Sequence, residues 1–199
     1  MQHTERTLWD AVEPDELLPR SLGAMIRAAY FSNAGEAATR YRVGVSEVIA
    51  HLIPAGILRM PRPTRAAENM ACVVHAVALV RGDAQAWADI VNQLASSFDR
   101  ACAARLDPVR GIAFSRRFWL DLRSNAGTAS RNHGTRAPNL RAYPGNRPLR
   151  YWLAERLLGS LEFELGRASH TSAPRLDRGA VPRTLRIPRA AVLVEAKAR

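Results

Sequence analysis

The feature that most constrains the fold is a long periodic pattern of apolar residues between two helix boundaries, Asp83 and Asp107-Pro108. Its large side chains recur at spacings of three and four, which places them on one face of an α-helix. They are Trp87, Val91, Leu94, Phe98 and Cys102. The pattern predicts an amphipathic helix over residues 84–106, with Gly82 closing the preceding helix and Asp83 as N-cap. The rest of the chain must cover this stripe.

Similar spacings predict helices along most of the chain, so the predicted fold class is mainly α. The predicted helices cover residues 19–30, 34–41, a short run from Val45 that Pro54 and Gly56 end, 64–80, 84–106, 114–123 and 148–165. Gly166 is expected to end the last of them. Residues 64–80 and 84–106 form a predicted helical hairpin, whose apolar stripes are core or, alternatively, the interface of a homodimer.

These predictions divide the chain into four segments. They are a three-helix unit at 1–63, the hairpin at 64–106, a basic region at 107–166 with a long loop at 124–147, and a basic tail at 167–199. A loop of this length in a compact domain is typical of a functional or disordered segment. The tail ends in two β-like runs, at 184–187 and 191–194, that could form a hairpin or lie against the body.

Residues 35–59 have the residue order of a helix-turn-helix. Small residues at 37 and 38 allow close helix crossing, Tyr41 and Val43 pack beneath a turn eased by Gly44, and Val48 and Leu52 face inward. Over about residues 21–65 the chain resembles winged helix-turn-helix DNA-binding regulators. The resemblance implies a trihelical unit followed by at most two short wing strands near residues 57–64, beginning at AGILR (55–59). It also implies a bacterial transcriptional regulator.

The same resemblance implies which side chains meet DNA. Sequence preference would come from the second helix, through Ser46, Glu47 and His51. That helix has no Arg or Lys, so affinity would come from arginines that flank it and contact phosphates. They are Arg40 and Arg42 before the helix, and Arg59, Arg62 and Arg65 after it.

Charge is distributed unevenly along the chain. Residues 1–106 carry 11 Arg and 11 acidic residues, whereas residues 107–199 carry 18 basic and 7 acidic residues and hold all of the +11 net charge. A GC-rich genome explains Arg over Lys but not this asymmetry, which indicates a polyanionic partner, duplex DNA foremost and RNA as the alternative. The phosphate contacts predicted in this half are Arg116, Arg117, Arg123, Arg131, Arg136, Arg141, Arg147 and Arg150.

A short sequence echo in the basic half has two interpretations. Arg-aromatic-Trp-Leu occurs at 117–120 and again at 150–153, each time followed by an Arg three residues later. An Arg, an aromatic ring and an Arg on one helix can hold a phosphate while the ring stacks on a base. Alternatively, the Trp belongs to the core and the arginines extend around it to solvent.

The sequence contains no motif of nucleotide, metalloprotease or hydrolase chemistry, and Asp107 and Asp121 are too isolated to pair as nuclease acids. Cys72 and His75 lie one turn apart, but a closed zinc site needs four ligands. We therefore expect neither an enzyme nor a cofactor. No apolar run approaches a membrane span and no secretory signal is visible, so a cytoplasmic protein is expected. The alternative function is an adaptor whose basic half docks RNA or an acidic protein.

Overall fold

The computed structural model describes residues 18–126 and 139–171, and for residues 168–171 it describes the backbone alone. Within these ranges the chain is almost entirely helical and contains no β-strand, so the mainly α fold class is confirmed. The helices are α1 Arg20–Asn33, α2 Gly35–Tyr41, α3 Val45–Leu52, α4 Thr64–Glu68, α5 Met70–Arg81, α6 Ala84–Ala103, α7 Pro108–Ala126 and α8 Leu149–Thr171. Two 3-10 turns, Ile57–Arg59 and Leu140–Ala142, complete the described elements.

Helix α5 lies at the centre of the molecule. Its buried side chains point in all directions around the helix axis, and α1, α2, α3, α6, α7 and α8 all contact it. They are Met70, Val73, Val74, Ala76, Val77, Ala78 and Leu79. A helix that is apolar on every side is stable only when other elements enclose it. The remaining helices therefore form a shell around α5.

Helix α6 carries the stripe that the sequence predicted. Trp87, Leu94, Phe98 and Cys102 are buried, Val91 is half-buried, and Ile90 adds a further buried side chain. The indole Nε1 of Trp87 donates a hydrogen bond to the Leu79 carbonyl oxygen at 3.1 Å, which joins α6 to α5. This indole is thus both packed and hydrogen-bonded in the core.

Helix α7 packs along α6, and one glycine makes their close approach possible. A Cβ atom at Gly111 would lie 2.5 Å from the backbone nitrogen of Ala103, so a side chain there would push the two helices apart. Asp107 starts α7, because its carboxylate accepts from the Arg110 backbone nitrogen at 2.9 Å and Pro108 occupies the first turn. The helix predicted at 114–123 therefore begins six residues earlier.

Two other predicted boundaries are wrong. The helix expected over 64–80 is interrupted at Asn69, whose amide donates to the carbonyl oxygens of Arg65 (2.9 Å) and Gly145 (3.0 Å). Gly166 does not end the last helix, because α8 continues to Thr171. A single Gly costs a helix only about 1 kcal/mol, which the flanking turns can supply.

The predicted wing strands do not form. Residues 57–59 make a 3-10 turn after Gly56, which has a left-handed backbone with φ of 92°, and α4 begins at Thr64. Between them Pro61 and Pro63 lack the backbone N–H groups that a β-ladder requires. Residues 127–138 of the predicted loop and the β-like runs of the tail lie outside the described residues.

The buried side chains form one continuous cluster from Leu18 to Leu161. The sequence segments 1–63, 64–106 and 107–166 all contribute to it. The helix-turn-helix-like segment is thus packed against the hairpin, chiefly through α2 and α3 on α5.

Replacing Trp87 with Ala should lower the free energy of unfolding by about 3–5 kcal/mol, because it removes a buried indole and its hydrogen bond to Leu79. Chemical denaturation followed by circular dichroism measures this decrease. Leu120→Ala is the control: its side chain is 70% exposed, and the change should stay within about 0.5 kcal/mol. Equal stability of the Trp87 variant and wild type would contradict the packing described for α6.

Candidate nucleic-acid interface

Helices α2 and α3 are joined by a three-residue turn, residues 42–44. Arg42 has the left-handed backbone of this turn, with φ of 52° and ψ of 45°, and Gly44 is extended, with φ of −85° and ψ of 159°. Gly44 lies in the turn, as the sequence predicts, but the left-handed position is occupied by Arg42. Val43 is buried, and its carbonyl oxygen accepts from the Tyr30 hydroxyl at 2.7 Å. The turn is fixed from below by α1.

A single arginine of α5 fixes the turn from its other side. The guanidinium of Arg81 donates to the carbonyl oxygens of Tyr41 and Arg42, the latter at 2.9 Å. It also forms ion pairs with Glu47 at 3.3 Å and Asp83 at 3.7 Å. Sequence reasoning missed Arg81, although a cation in the last turn of a helix commonly binds nearby carbonyl groups.

Glu47 is held by two partners at the start of α3. Its Oε2 atom accepts from the Gly44 backbone nitrogen at 2.7 Å, as in a capping box, and its Oε1 atom faces Arg81. Because both oxygens are engaged, the carboxylate stabilises the turn, and an incoming cytosine amine would compete with these contacts.

His51 is buried, so the expectation that it faces outward from α3 is wrong. Its Nε2 atom donates to the Tyr143 carbonyl oxygen at 3.0 Å, a partner 92 residues away in the chain. Burial lowers the pKa of His51, with a smaller contribution in the same direction from the charge of Arg141. The residues of α3 that are exposed are Ser46 and Ala50, and Glu47 is half-buried.

The arginines that flank α3 fall into two groups. Arg40 forms an ion pair with Asp89 at 2.7 Å, and Arg65 with Glu68 at 3.2 Å. The others are Arg42 at the N-terminal end of α3 and, beyond its C-terminal end, Arg59 and Arg62. These three are exposed, and no acidic residue in the described part of the chain forms an ion pair with their side chains. They are the flanking cations available to an external anion.

The arginines of the basic half differ in their surroundings. Arg116 is exposed. Arg117 lies 3.7 Å from Asp121, and Arg147 lies 2.8 Å from Glu155. Arg123 lies over the ring of Trp87, and Arg150 lies over the ring of Tyr151. Arg131 and Arg136 lie outside the described residues. Arg141 follows Leu140 in a 3-10 turn close enough to His51 for its charge to act on that ring. The described end of the predicted loop thus brings one arginine to the C-terminal half of α3.

The sequence echo does not place its two copies in equivalent environments. In the first copy Phe118 is buried and Trp119 is half-buried against Phe98, at 5.1 Å between ring centroids. In the second copy Trp152 is buried, with Arg156 over its ring at 5.0 Å, and Tyr151 is exposed. The interpretation that the tryptophans pack in the core with arginines around them fits both copies better than base stacking does.

Asp89 joins α6 to α2 through a polar network. Its carboxylate accepts from the Tyr41 hydroxyl and the Gln85 amide, each at 2.9 Å, and pairs with Arg40. Desolvation acts to raise the pKa of Asp89, but these hydrogen bonds and the charge of Arg40 outweigh it, so the pKa is lowered. Burial and the bond to Asp89 raise the pKa of Tyr41 to about 12. The network holds α2 in place.

The contacts of His75 within the described residues are an aromatic ring and a backbone carbonyl group, not other metal-ligating side chains. The Tyr41 and His75 rings stack with centroids 4.8 Å apart, and the Nε2 atom of His75 donates to the Ala86 carbonyl oxygen at 3.0 Å. Across the described ranges, no three His, Cys, Asp or Glu side chains come close enough together to hold a metal ion.

Comparison with known protein families, with curated proteins and with solved structures finds no match to this chain. None of the helices in the described ranges is long and apolar enough to cross a membrane. The proposed function therefore rests on the site residues and their contacts.

Replacing Arg42 with Gly should raise the free energy of unfolding by up to about 1 kcal/mol, because Gly adopts the left-handed backbone without the steric cost of a Cβ atom. The hydrogen bond that the Arg81 guanidinium donates to the backbone carbonyl oxygen of residue 42 would remain. Arg42→Ala is the matched control, since it removes the same guanidinium but keeps Cβ, and it should not stabilise the fold. Urea denaturation of both variants measures the difference. A glycine variant no more stable than the alanine variant would contradict a strained turn.

Two histidines, the buried His51 and the half-buried His75, should make the free energy of unfolding depend on pH. Burial lowers the folded-state pKa of His51 and of His75 below the unfolded value of about 6.5. Between the two pKa values the unfolded state binds more protons, so the free energy of unfolding should fall as pH falls below about 6.5. The double variant His51→Gln/His75→Gln keeps side-chain N–H donors without a titrating ring, and its stability should decline less over this range. Identical pH profiles of the variant and wild type, measured by denaturation between about pH 7 and pH 5, would contradict neutral His51 and His75 rings in the folded state.

Proposed function

We propose that this chain is a cytoplasmic transcriptional regulator that binds duplex DNA through the α2–α3 helix-turn-helix. In this proposal the phosphates bind mainly to the arginines at the two ends of α3, here called the flanking arginines: Arg42, Arg59 and Arg62. The single observation that carries the proposal is that these three are exposed and free of ion pairs within the described residues, while Arg40 and Arg65 are neutralised.

The dimensions of α3 support this proposal. A helix of eight residues is about 12 Å long, comparable with the width of the major groove of B-DNA. Cations at the two ends of such a helix can contact phosphates on either side of a groove. The strained backbone of Arg42 also supports it, because such residues concentrate at functional sites. Arg141 adds a further cation near the C-terminal half of α3.

Base recognition would be limited in this proposal. With His51 buried and Glu47 bound to Gly44 and Arg81, the exposed side chains of α3 are Ser46 and Ala50. Neither can make the bidentate contact with guanine or adenine that contributes about 1–3 kcal/mol of discrimination. Affinity would therefore come mostly from phosphates, with weak sequence preference.

The triple variant Arg42→Gln/Arg59→Gln/Arg62→Gln should bind all duplexes more weakly than wild type. The slope of log K against log salt concentration should become shallower by up to about 0.9 for each phosphate that the variant no longer neutralises. Fluorescence anisotropy with several unrelated duplexes, across a salt series, measures both quantities. The decrease should be similar for every duplex, because phosphate contacts carry no sequence information.

The matched control is the triple variant Arg100→Gln/Arg105→Gln/Arg156→Gln. It removes the same charge from arginines that contact the Ser96 carbonyl oxygen, Glu162 and the ring of Trp152. It should keep most of the wild-type salt slope. If the two triple variants weaken binding equally, the positive charge of the protein acts as a whole and the flanking arginines are not a site. If the triple variant of the flanking arginines binds duplexes with wild-type affinity, the proposal is wrong.

A second candidate function is that of a protein-binding adaptor. One observation favours it: large aliphatic side chains are exposed on α7, in the basic half of the chain. Such side chains add nothing to phosphate binding but are typical of protein contacts. This surface is independent of the flanking arginines.

A further inference from the structure

The outer face of α7 combines apolar and basic side chains in a regular order. Val109, Ala113, Arg116 and Leu120 follow each other at spacings of four, three and four, so they lie in one row along the helix. Val109 is 79% exposed and Leu120 is 70% exposed. A soluble helix normally turns such residues toward the core, and here Phe118 and Leu122 already occupy the buried face.

A groove runs beside this row, between α7 and the end of α8. Its volume is about 250 Å³, and its floor is formed by Leu106, Phe114 and Leu165. Arg110 and Arg117, seven residues apart on α7, line it together with Glu164. The groove and the row share Ala113, so they form one continuous surface, here called the α7 face.

Within the described residues, the two groove arginines of the α7 face, Arg110 and Arg117, form weak ion pairs with Asp107 and Asp121. Arg110 lies 3.8 Å from Asp107 and Arg117 lies 3.7 Å from Asp121, and the two arginine side chains remain 68% and 77% exposed. Surface ion pairs of this kind contribute little, so exchanging an internal carboxylate for one on a partner costs little. The surface therefore offers apolar contacts flanked by cations.

We propose that the α7 face binds an acidic amphipathic segment of another protein. Apolar side chains of the partner would enter the groove over Phe114 and pack on Val109 and Leu120, and its Asp and Glu side chains would pair with Arg110 and Arg117. Helical segments bind grooves in this way through anchors at helical spacing.

Other occupants fit the surface less well. A nucleic acid gains nothing from contact with the exposed apolar side chains of Val109 and Leu120, whereas an amphipathic peptide can bury them. A second copy of this chain would bring two basic faces together. The groove is smaller than pockets that enclose small ligands, about 300–1,000 Å³, but large enough to receive side chains.

The test is a selection of displayed random peptides on the immobilised full-length chain. We expect the enriched peptides to carry apolar residues at helical spacing with Asp and Glu between them. Two variants of the face should each weaken binding of a selected peptide about tenfold at low salt, measured by fluorescence anisotropy. They are Arg110→Gln/Arg117→Gln and Val109→Ser/Leu120→Ser, which change exposed side chains.

The matched control for the apolar pair is Phe31→Ser/Leu58→Ser, which changes exposed apolar residues away from α7 and should leave peptide binding unchanged. The triple variant of the flanking arginines should also bind the peptide normally, so this inference can fail or hold independently of DNA binding. The inference is overturned if enriched peptides lack acidic residues or bind both α7 variants as wild type. It is also overturned by a second result: duplex DNA displaces the peptide, and only the Arg110→Gln/Arg117→Gln variant weakens peptide binding. The face would then bind phosphates.

Discussion

The burial of α5 is the constraint on which the rest of the structure depends. A twelve-residue helix with apolar side chains on every side must be enclosed, and α1, α2, α3, α6, α7 and α8 provide the enclosure. Its one charged residue, Arg81, lies at the C-terminal end, where it binds the carbonyl groups of the α2–α3 turn. The same helix therefore supports the core and sets the position of α3 relative to it.

The sequence predicted most elements because their signals are local. The stripe of α6 follows from residue spacing alone. Its N-cap hydrogen bond, which the Ala86 backbone nitrogen donates to the Asp83 carboxylate at 2.9 Å, is a contact within four residues. The break at Asn69 was missed because half of its cause is distant: the carbonyl of Gly145 lies 76 residues away. A capable N-cap, Asp107, was interpreted only as a helix breaker because Pro108 follows it, although Pro is favoured in a first helical turn.

The sequence predicts which charged residues surround α3, but it does not predict which of the site residues are exposed. The arginines around α3 are evident in the sequence, yet which of them is free depends on partners such as Asp89, 49 residues from Arg40. Helical spacing predicts that His51 lies on the face of α3 that points away from α1 and α2. That face would be exposed if α3 contacted only α1 and α2. The chain around Tyr143 covers that side and accepts its hydrogen bond, so a residue expected to bind DNA instead links α3 to the basic half.

The division of the arginines indicates how one basic protein can serve two partners. On α3 itself the exposed side chains are Ser46 and Ala50, so the cations without ion pairs in the described residues flank a polar or small surface that favours a highly charged, hydrophilic partner. On α7 the cations flank exposed aliphatic side chains, where a partner gains from apolar burial as well as from charge. Salt screens the first interaction strongly and the second only in part, because the hydrophobic contribution does not depend on ionic screening. Under these two proposals, net charge would attract acidic partners to both surfaces, and the neighbours of each arginine would determine which partner remains bound.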